Sequence, residues 1–326
     1  MNTPHIDEFE LKQYLAGEMP AAKVLADTLA QLRWAARIPQ PSRTLAERHP
    51  ARRVVKLPAV SAGCAGVPGA YAHIACERLL EHSDIRFYHD FADVAAALVK
   101  GEVALGVLPV ENSSAGQVGE VLELVSSHDL YIAQTVDIKA EHCLCIHPDS
   151  DPGSLRRAIS HPQALAQCKG YLAKKGFQPE PFSNTAAAAK QVARAPGDAA
   201  CLCSERGAAL YGLRVLERGV QDFDDNYTRF LCVSREHYLL PGADTISITL
   251  SLPNEPGELH RMLTRFAACH LDLSRLLSMP IASRDFSVLF HLDFRGSILD
   301  KAVARMLGAM YDEFSNFKFL GNYSRI

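Results

Sequence analysis

The strongest constraint on the fold comes from residues 57 to 235, where short apolar runs alternate with amphipathic segments. Strands that alternate with helices build parallel-rich sheets covered by helices, so this region predicts an α/β fold. In such folds, ligands bind in the loops beyond the carboxyl ends of strands. The predicted strands are Ile85–Tyr88, Val103–Val110, Tyr131–Val136, His142–His147, Ala199–Cys203 and Arg229–Val233, and helices are expected near 71–82, 91–100, 117–128, 162–174, 185–195 and 204–211.

The last segment, residues 243–326, has a different periodicity. Apolar and polar residues alternate from Thr245 to Leu252 and again from Phe286 to Phe294, which is typical of half-buried strands. Apolar residues at helical spacing follow each of these runs. With a strand near 271–279 and another at 317–320, the predicted order is βαββαβ, a small ferredoxin-like domain with one antiparallel sheet and two helices.

Residues 1–56 form a third region. Apolar residues from Ala22 to Ala36 recur at helical spacing and predict one amphipathic helix near 21–37. Pro39 and Pro41 end it, and the basic stretch that runs to Lys56 is interpreted as a linker. The predicted domains are therefore 1–56, 57–238 and 243–326.

Composition excludes several classes of protein. An apolar fraction of 48%, a charged fraction of 22% and a net charge of −3 are those of a globular protein without affinity for nucleic acid or anionic membranes. No apolar run is long enough to span a membrane, and Met1 to Glu10 show no secretory signal, so a cytoplasmic location is expected. Nine cysteines are an odd number, which favours reduced thiols.

Two cysteine pairs, Cys143/Cys145 and Cys201/Cys203, raise the question of a metal site. One residue separates the members of each pair, so on a strand both thiols face the same side. Their neighbours are apolar and the usual CxxC spacing of zinc sites is missing. Buried structural cysteines are the favoured interpretation, and no metal is expected.

Three polar loops lead into predicted helices, and the first of them leaves a predicted strand. They contain Glu111–Gly116, Ser160–Leu165 and Asn184–Ala187, and a fourth polar tract covers Asp225–Phe230. Hydroxyls, amides and unpaired N–H groups at helix N-termini can bind carboxylates, although one such loop alone is most often a plain helix cap. Four together indicate a cleft for an anionic small molecule.

These motifs resemble the prephenate dehydratase family, and most closely the dehydratase half of fused chorismate mutase–prephenate dehydratases. The likeness covers about residues 66–230. The matching motifs are GVPGAY at 66–71, LPVENSSAG at 108–116, EHCL at 141–144, SHPQAL at 160–165, NTAAAAK at 184–190, LYGL at 210–213 and NYTRF at 226–230.

The resemblance implies two α/β subdomains like those of type 2 periplasmic binding proteins, with the active site in the cleft between them. It also implies that Thr228 is catalytic and that an ACT domain occupies 243–326. One departure is Ala72, where the family commonly has serine. The residues implied to line the substrate cleft are Asn112, Ser113, Ser114, His161, Gln163, Thr185, Arg229 and Phe230.

The implied reaction removes CO₂ and hydroxide from prephenate and leaves an aromatic ring, phenylpyruvate. Thr228 would hydrogen-bond the departing oxygen as charge develops on it. His142 and His161 are candidate proton donors because histidine titrates near neutrality; each is as compatible with a structural role. Arg229 can hold a carboxylate or form a salt bridge between subdomains. No step requires a cofactor.

Two alternatives remain open at this point. Arogenate dehydratase runs the same elimination on the amino acid analogue, and one or two loop residues can decide between the substrates. A non-catalytic amino-acid sensor could use the same fold, although the intact NYTRF tract disfavours it. The ACT likeness favours a homodimer or homotetramer.

The effector site implied by the family departs from its usual pattern. The turn after the first ACT strand is present as Asn254, Glu255, Pro256, Gly257, Glu258 and Leu259. The second motif, commonly Glu-Ser-Arg-Pro, here consists of Leu277, Ser278, Met279 and Pro280. Two charged positions are apolar, so weak or absent inhibition by phenylalanine is expected. The N-terminal region is too short for a mutase domain, so no chorismate mutase activity is expected.

Overall fold

The computed structural model describes residues 40–253, 255–280 and 288–326. The predicted helix near 21–37 lies outside this range, as does Asn254. The described chain forms two compact units. The larger unit contains Arg52–Ala243 and Tyr323–Ile326, and the smaller unit contains residues up to Ala51 together with Asp244–Asn322. Over the described ranges, no helix combines the length and apolar character that crossing a membrane requires.

The secondary structure elements are numbered here in chain order. The described helices are α1 Leu45–Arg48, α2 Tyr71–Leu79, α3 Phe91–Lys100, α4 Gly119–Ser127, α5 Pro162–Gln167, α6 Lys169–Lys175, α7 Thr185–Val192, α8 Glu205–Leu210, α9 Glu258–Ala268 and α10 Lys301–Glu313. The described strands are β1 Arg52–Arg53, β2 Ala62–Ala65, β3 Ile85–Tyr88, β4 Leu105–Asn112, β5 Gly116–Gln117, β6 Tyr131–Lys139, β7 Cys143–Ile146, β8 Arg157–Ser160, β9 Gln178–Pro181, β10 Ala199–Cys203, β11 Arg214–Glu217, β12 Tyr227–Ser234, β13 Tyr238–Leu239, β14 Thr245–Ser251, β15 Leu273–Pro280, β16 Val288–Arg295 and β17 Lys318–Arg325.

The larger unit has two lobes, each built around one sheet, and β1 pairs with β13 in a separate two-stranded sheet. In the first lobe (residues 62–139 and 227–239) the strand order is β3-β2-β4-β12-β6. Strands β2, β3 and β4 are parallel, whereas β12 runs antiparallel to both β4 and β6. In the second lobe (residues 143–217) the order is β11-β7-β10-β8-β9. The predicted α/β alternation is confirmed in both lobes.

The chain passes between the lobes twice, at residues 140–142 and 218–226. These two crossing segments are joined by backbone hydrogen bonds from Ala140 N to Asn226 O (2.8 Å) and from Val220 N to His142 O (3.0 Å). Because both ends of the second lobe are fixed at the same place, the polar loops of the two lobes face each other beside the crossings.

Several element boundaries differ from the predicted ones. The helix expected at 162–174 is two helices, α5 and α6, which are separated at Cys168. Besides three strands of two residues, four strands were not predicted, β2, β8, β9 and β11, because each has only four residues and little apolar alternation. The strand expected at 103–110 runs instead to Asn112, which places that polar residue in the sheet rather than in a loop.

The smaller unit has the predicted order of elements, β14-α9-β15-β16-α10-β17. Its strand order is β15-β16-β14-β17, and β16 is antiparallel to both of its neighbours. The side chains of Ile246, Ile248 and Leu250 on β14 are completely buried.

The stretch that was interpreted as a linker is partly structured. Helix α1 begins after Thr44, whose capping box with Glu47 closes the first turn. Leu45 is completely buried, and Arg48 forms an ion pair with Asp312 of α10. The linker prediction is therefore wrong for residues 42–48, where one apolar side chain and one ion pair attach the segment to the smaller unit.

Candidate active site

A cavity of about 390 Å³ lies between the two lobes of the larger unit. Both lobes and both crossing segments contribute to its wall. The lining residues are Ala70, Tyr71, Ala72, Phe91, Pro109, Asn112, Val118, Ala140, His142, His161, Gln163, Ala164, Gln167, Asn184, Thr185, Asn226, Thr228 and Phe230.

Thr228 and Asn112 are directly opposite each other on the adjacent strands β12 and β4. The Asn112 amide Nδ2 donates a hydrogen bond to Thr228 Oγ1 at 2.9 Å. Thr228 Oγ1 is thus an acceptor in this contact, and no described residue accepts its own proton. A hydroxyl has one O–H to donate. That proton is therefore available to a molecule in the cavity.

The orientation of the Asn112 side chain is fixed by its other contacts. Its Oδ1 accepts from Ser114 N (3.0 Å), Ser114 Oγ (2.7 Å), Ala115 N (2.9 Å) and Gln163 Nε2 (3.1 Å). Four donors around one oxygen identify it as the carbonyl end of the amide. The N–H end must then point to Thr228, so the polarity of this bond is determined by its surroundings.

Helix α5 of the second lobe bridges to the first lobe through two glutamines. Gln163 and Gln167 are four residues apart and so lie on one face of the helix. Gln167 Nε2 donates to Ser114 Oγ (2.7 Å), and its Oε1 accepts from Asn226 Nδ2 (2.9 Å). Gln167 and Asn226 were not predicted as site residues. The i+4 spacing from Gln163 and the first position of the NYTRF motif were the signals for them.

His142 is held between Tyr71 and Gln167. Its Nε2 lies 3.0 Å from Gln167 Oε1, which can only accept, so Nε2 carries the proton. Its Nδ1 is then an acceptor and lies 3.1 Å from the Tyr71 hydroxyl, whose one proton is shared between this nitrogen and Glu141 O at 2.6 Å. Burial lowers the pKa of His142 and raises that of Tyr71 well above its usual range. Both groups are neutral at pH 7, and both His142 nitrogens are occupied.

In His161 only one of the two ring nitrogens has a partner among the described residues. Its Nδ1 accepts from Gln163 N at 3.2 Å and so caps helix α5. The proton must then be on Nε2, which has no partner among the described residues and belongs to a side chain that lines the cavity. Burial lowers the pKa of His161. At neutral pH this residue is a neutral hydrogen-bond donor.

Thr185 and Phe230 also line the cavity, at two different walls. Thr185 is the first residue of α7, which is capped by Asn184 through a 2.7 Å bond from Ala187 N. Phe230 follows Thr228 by two residues on β12, so both side chains point to the same face of the sheet. Phe230 is only 3% exposed and provides an apolar surface.

Three predicted site residues do not line the cavity. Ser113 Oγ donates to Asp225 O (2.7 Å) and accepts from Tyr227 N (2.9 Å), so it fixes the start of β12. Ser114 Oγ hydrogen-bonds Asn112 and Gln167, which line the cavity, whereas Ser114 itself does not. Arg229 points to the opposite face of the sheet from Thr228, so the prediction that it holds a substrate carboxylate does not agree with its position.

The described residues that line the cavity include no aspartate, glutamate, lysine or arginine. Anionic groups of a ligand would instead meet neutral donors and the N-terminal ends of helices α2 and α7, at Tyr71 and Thr185. Backbone N–H groups at a helix N-terminus are free to bind anions.

The cysteine pairs are structural. Cys143 and Cys145 on β7 face Cys203 and Cys201 on β10, and all four side chains are at most 3% exposed. Burial and the neighbouring thiol of Cys145 raise the pKa of Cys143 to about 11, which disfavours the thiolate that binds metals.

Three exposed side chains of types that can bind a metal ion also lie close together, those of His89, Asp90 and Asp93. Asp90 there accepts from Asp93 N at 2.8 Å as the cap of helix α3. Its carboxylate already has a structural role.

The residues predicted to bind an effector belong to the smaller unit. Gly257 has a φ of 90° and precedes helix α9, on which Glu258 pairs with Arg261 at 2.7 Å. Leu259 is 38% exposed. Leu277 and Ser278 lie on β15, and Pro256 precedes Gly257 in the turn.

Comparison with known proteins identifies the family of this chain. The family model described as prephenate dehydratase matches residues 62–238, which is more than half of the chain. This chain belongs to the prephenate dehydratase family. The enzyme is therefore a hydro-lyase.

Curated relatives of this dehydratase come from plants and bacteria. Arogenate dehydratase/prephenate dehydratase 2 of Arabidopsis thaliana is 35% identical over 272 residues, which cover 79% of this chain and 71% of the relative. The bifunctional chorismate mutase/prephenate dehydratase of Pseudomonas aeruginosa is 32% identical over 72% of this chain and 64% of its own.

Two solved structures share the fold of this dehydratase. Prephenate dehydratase from Arthrobacter aurescens in complex with L-Phe has a TM-score of 0.74 at 27% identity, over 81% of this chain and 90% of its own. GqqA, described as a novel type of quorum quenching acylase, has a TM-score of 0.75 at 29% identity, over 82% and 98%.

Proposed function

We propose that the cavity between the lobes binds prephenate and that Thr228 donates a hydrogen bond to the hydroxyl that leaves its ring. The Asn112–Thr228 contact supports this assignment most directly. Asn112 fills an acceptor position on Thr228 Oγ1, and the Thr228 proton remains available toward the cavity. A fixed donor that meets developing negative charge stabilises the transition state without reorganisation.

The electron balance of the elimination defines what the site must supply. The bond from the ring to its carboxylate breaks and releases CO₂, and that electron pair moves through the ring. The bond to the ring hydroxyl breaks at the far end, and the departing hydroxide takes up one proton to become water. Thr228 stabilises the departing oxygen by hydrogen bonding rather than by giving up its proton, because a threonine hydroxyl is a very weak acid. The proton comes from solvent.

Substrate orientation is assigned to the neutral donors of the second lobe. The N–H of His161 Nε2 and the N-terminus of helix α7 at Thr185 can bind the two carboxylates. Phe230 and Phe91 supply apolar surface for the ring. His142 is assigned a structural role because both of its nitrogens already have partners.

The wall of the cavity favours prephenate over arogenate. Arogenate has an ammonium group where prephenate has a keto oxygen. An ammonium taken from water into this cavity would meet no carboxylate among the described lining residues, which is costly. A wall without charged side chains suits the uncharged keto group.

The likeness to GqqA raises the possibility of acylase chemistry, and the cavity does not favour it. Nucleophilic acyl transfer needs a hydroxyl or thiol beside a general base. Here Thr228 Oγ1 contacts the amide of Asn112, and neither histidine of the cavity hydrogen-bonds it among the described contacts.

The smaller unit is assigned as an ACT domain with a regulatory or assembly role, on the basis of its βαββαβ order and strand order. The Arthrobacter relative was solved with L-Phe. In this chain Leu277 and Met279 replace two charged residues, so we propose a weakened response to phenylalanine. We also propose that the protein is cytoplasmic and that it assembles as a homodimer or homotetramer.

The deciding assay follows phenylpyruvate and phenylalanine formation from prephenate and arogenate by the purified chain. We expect kcat/KM for prephenate to exceed that for arogenate by at least roughly tenfold, because one unpaired ammonium costs about 1.4 kcal/mol or more. Equal or higher kcat/KM for arogenate would show that the lining does not select the keto acid. Failure to turn over either substrate would refute the proposed function.

A further inference from the structure

Behind the catalytic strand, on the face of the sheet away from the cavity, three charged residues form a row across three strands. Arg229 on β12 is opposite Glu111 on β4 and opposite Asp137 on β6. The next row of the same sheet, one residue earlier on β12, is that of Asn112 and Thr228. The ion pairs and the catalytic hydrogen bond are therefore adjacent along the chain and on opposite faces.

The contacts within this row are geometrically well formed. Arg229 Nε lies 2.9 Å from Asp137 Oδ1 and Arg229 Nη2 lies 3.2 Å from Asp137 Oδ2, a two-bond contact with the carboxylate. Arg229 Nη1 lies 3.3 Å from Glu111 Oε2. The exposed fraction is 29% for the Arg229 side chain and 16% for that of Asp137. A paired, partly desolvated guanidinium binds more strongly than a surface ion pair.

The backbone between β12 and β4 is irregular at the same place. Arg229 is opposite Glu111, but Phe230 is opposite Pro109, so Val110 is an extra residue in β4. Proline has no N–H to donate to the ladder. The regular hydrogen bonding that would fix the spacing of β4 and β12 is thus interrupted directly beside the Asn112–Thr228 pair, as is common for bulges near active sites.

We infer that Arg229 and Asp137 are positioning residues for catalysis, which rests on the proposed role of Thr228. Their ion pairs connect β12 to both neighbouring strands. Glu111 lies on β4, where the ladder is interrupted, and Asp137 lies on β6, where it is regular, so the guanidinium ties the irregular strand pair to the regular one. The distance that they maintain is the 2.9 Å between Asn112 Nδ2 and Thr228 Oγ1. The ion-paired row thereby aims the Thr228 proton into the cavity without contacting substrate.

This role predicts a specific kinetic signature. A displacement of about 1 Å at a catalytic group typically lowers turnover by up to about a hundredfold. Loss of the ion-paired row should therefore lower kcat and leave KM within about twofold, since only the transition-state contact is weakened. An arginine that held a substrate carboxylate would instead raise KM.

The test uses Arg229→Lys, which retains the charge but loses the two-bond contact, and Asp137→Asn, which removes the carboxylate charge at nearly equal volume. Each is also made in a Thr228→Ala background. Steady-state kinetics with prephenate and thermal unfolding are measured for all of them. The matched control is Arg52→Lys, whose partner Glu236 lies 2.8 Å away in an exposed ion pair of the same unit.

We expect a loss of kcat of roughly tenfold to a hundredfold for Arg229→Lys and Asp137→Asn, with KM nearly unchanged. In the Thr228→Ala background the same substitutions should cause no further loss, because they act through the missing hydroxyl. Arg52→Lys should match the wild type.

Three results would overturn the inference while the proposed function stands. They are a raised KM with normal kcat, a full additional loss in the Thr228→Ala background, and wild-type kinetics for both variants. If Arg229→Lys does not fold, Asp137→Asn decides the question together with Arg325→Gln, because Asp137 also pairs with Arg325 of β17 and only the loss of the Arg229 contact should lower kcat. An inactive wild-type chain would refute the proposed function and the inference together.

Discussion

Gly69 and Gly207 approach each other across the two lobes so closely that a Cβ added to Gly69 would lie 3.0 Å from the Cα of Gly207. Hydrogen bonds flank this contact: Ser204 Oγ donates to Gly69 O at 3.2 Å, and Tyr211 Oη donates to Pro68 O at 2.8 Å. Gly69 has a φ of 86°, which L side chains rarely adopt. The lobes can meet here because neither residue has a side chain.

Enlarging Gly207 should therefore hold the lobes apart. In Gly207→Val the new side chain would meet Ser204 Oγ and Gly69 O at 3.2–3.3 Å from its Cβ alone. We expect kcat/KM for prephenate to fall by at least about tenfold, because the donors of both lobes no longer converge on one substrate. The control is Gly197→Ala, since a Cβ at Gly197 would meet nothing within 4 Å. Normal kinetics for Gly207→Val would show that this contact does not matter for closure.

The buried histidines predict how stability depends on pH. Burial lowers the folded-state pKa of His142 and His161 below the ordinary value. The unfolded chain then binds protons near pH 6.5, where the folded chain does not, so the unfolding free energy falls as the pH drops from about 6.5 toward the folded-state pKa. Above about pH 6.5 both histidines are neutral in the folded and the unfolded chain, so their protonation no longer lowers the unfolding free energy.

Urea unfolding at several pH values between 5 and 8 measures this dependence. His142→Gln should reduce the slope below about pH 6.5, because it removes one buried group that can take up a proton only on unfolding. His89→Gln is the matched control, since the His89 side chain is 93% exposed. An unchanged slope in His142→Gln would contradict the assignment of His142 as buried and neutral.

Phenylalanine should inhibit this enzyme weakly or not at all. Leu277 and Met279 lie on β15, where neither side chain can pair with an ammonium or hold a loop by forked hydrogen bonds. Loss of a charged hydrogen bond weakens binding by roughly tenfold to a hundredfold. The double substitution Leu277→Glu and Met279→Arg should strengthen binding by a similar factor. Titration of activity together with calorimetry checks both statements, and micromolar inhibition of the wild type would contradict them.

Much of the fold followed from periodicity, and the predicted site residues that line the cavity came from motifs at element boundaries. His161 caps helix α5, Gln163 and Thr185 lie in the first turns of helices, and Thr228 is the second residue of a strand, so residue type and position both indicated them. Arg229 was assigned to the cleft because it adjoins Thr228. Alternation along a strand sends adjacent side chains to opposite faces, and that rule would have separated them.

The remaining site residues depend on tertiary contacts that no local pattern encodes. Gln167 reaches Ser114 and Asn226, which are 53 and 59 positions away along the chain. The break at Cys168, which ends helix α5 just after Gln167, is not marked by a proline, and the nearest glycine, Gly170, lies inside helix α6. The bulge at Val110 likewise depends on which strand becomes the neighbour of β4.

The central claim is that the Thr228 hydroxyl, oriented by Asn112, stabilises the leaving oxygen. The most direct measurement is kcat for phenylpyruvate formation from prephenate by the wild type, Thr228→Ala and Thr228→Ser, each shown to be folded by circular dichroism. We predict a loss of about 10²–10³-fold for Thr228→Ala, since one fixed donor is removed, and most of the activity retained in Thr228→Ser, which keeps the hydroxyl. Wild-type kcat in Thr228→Ala would contradict the account.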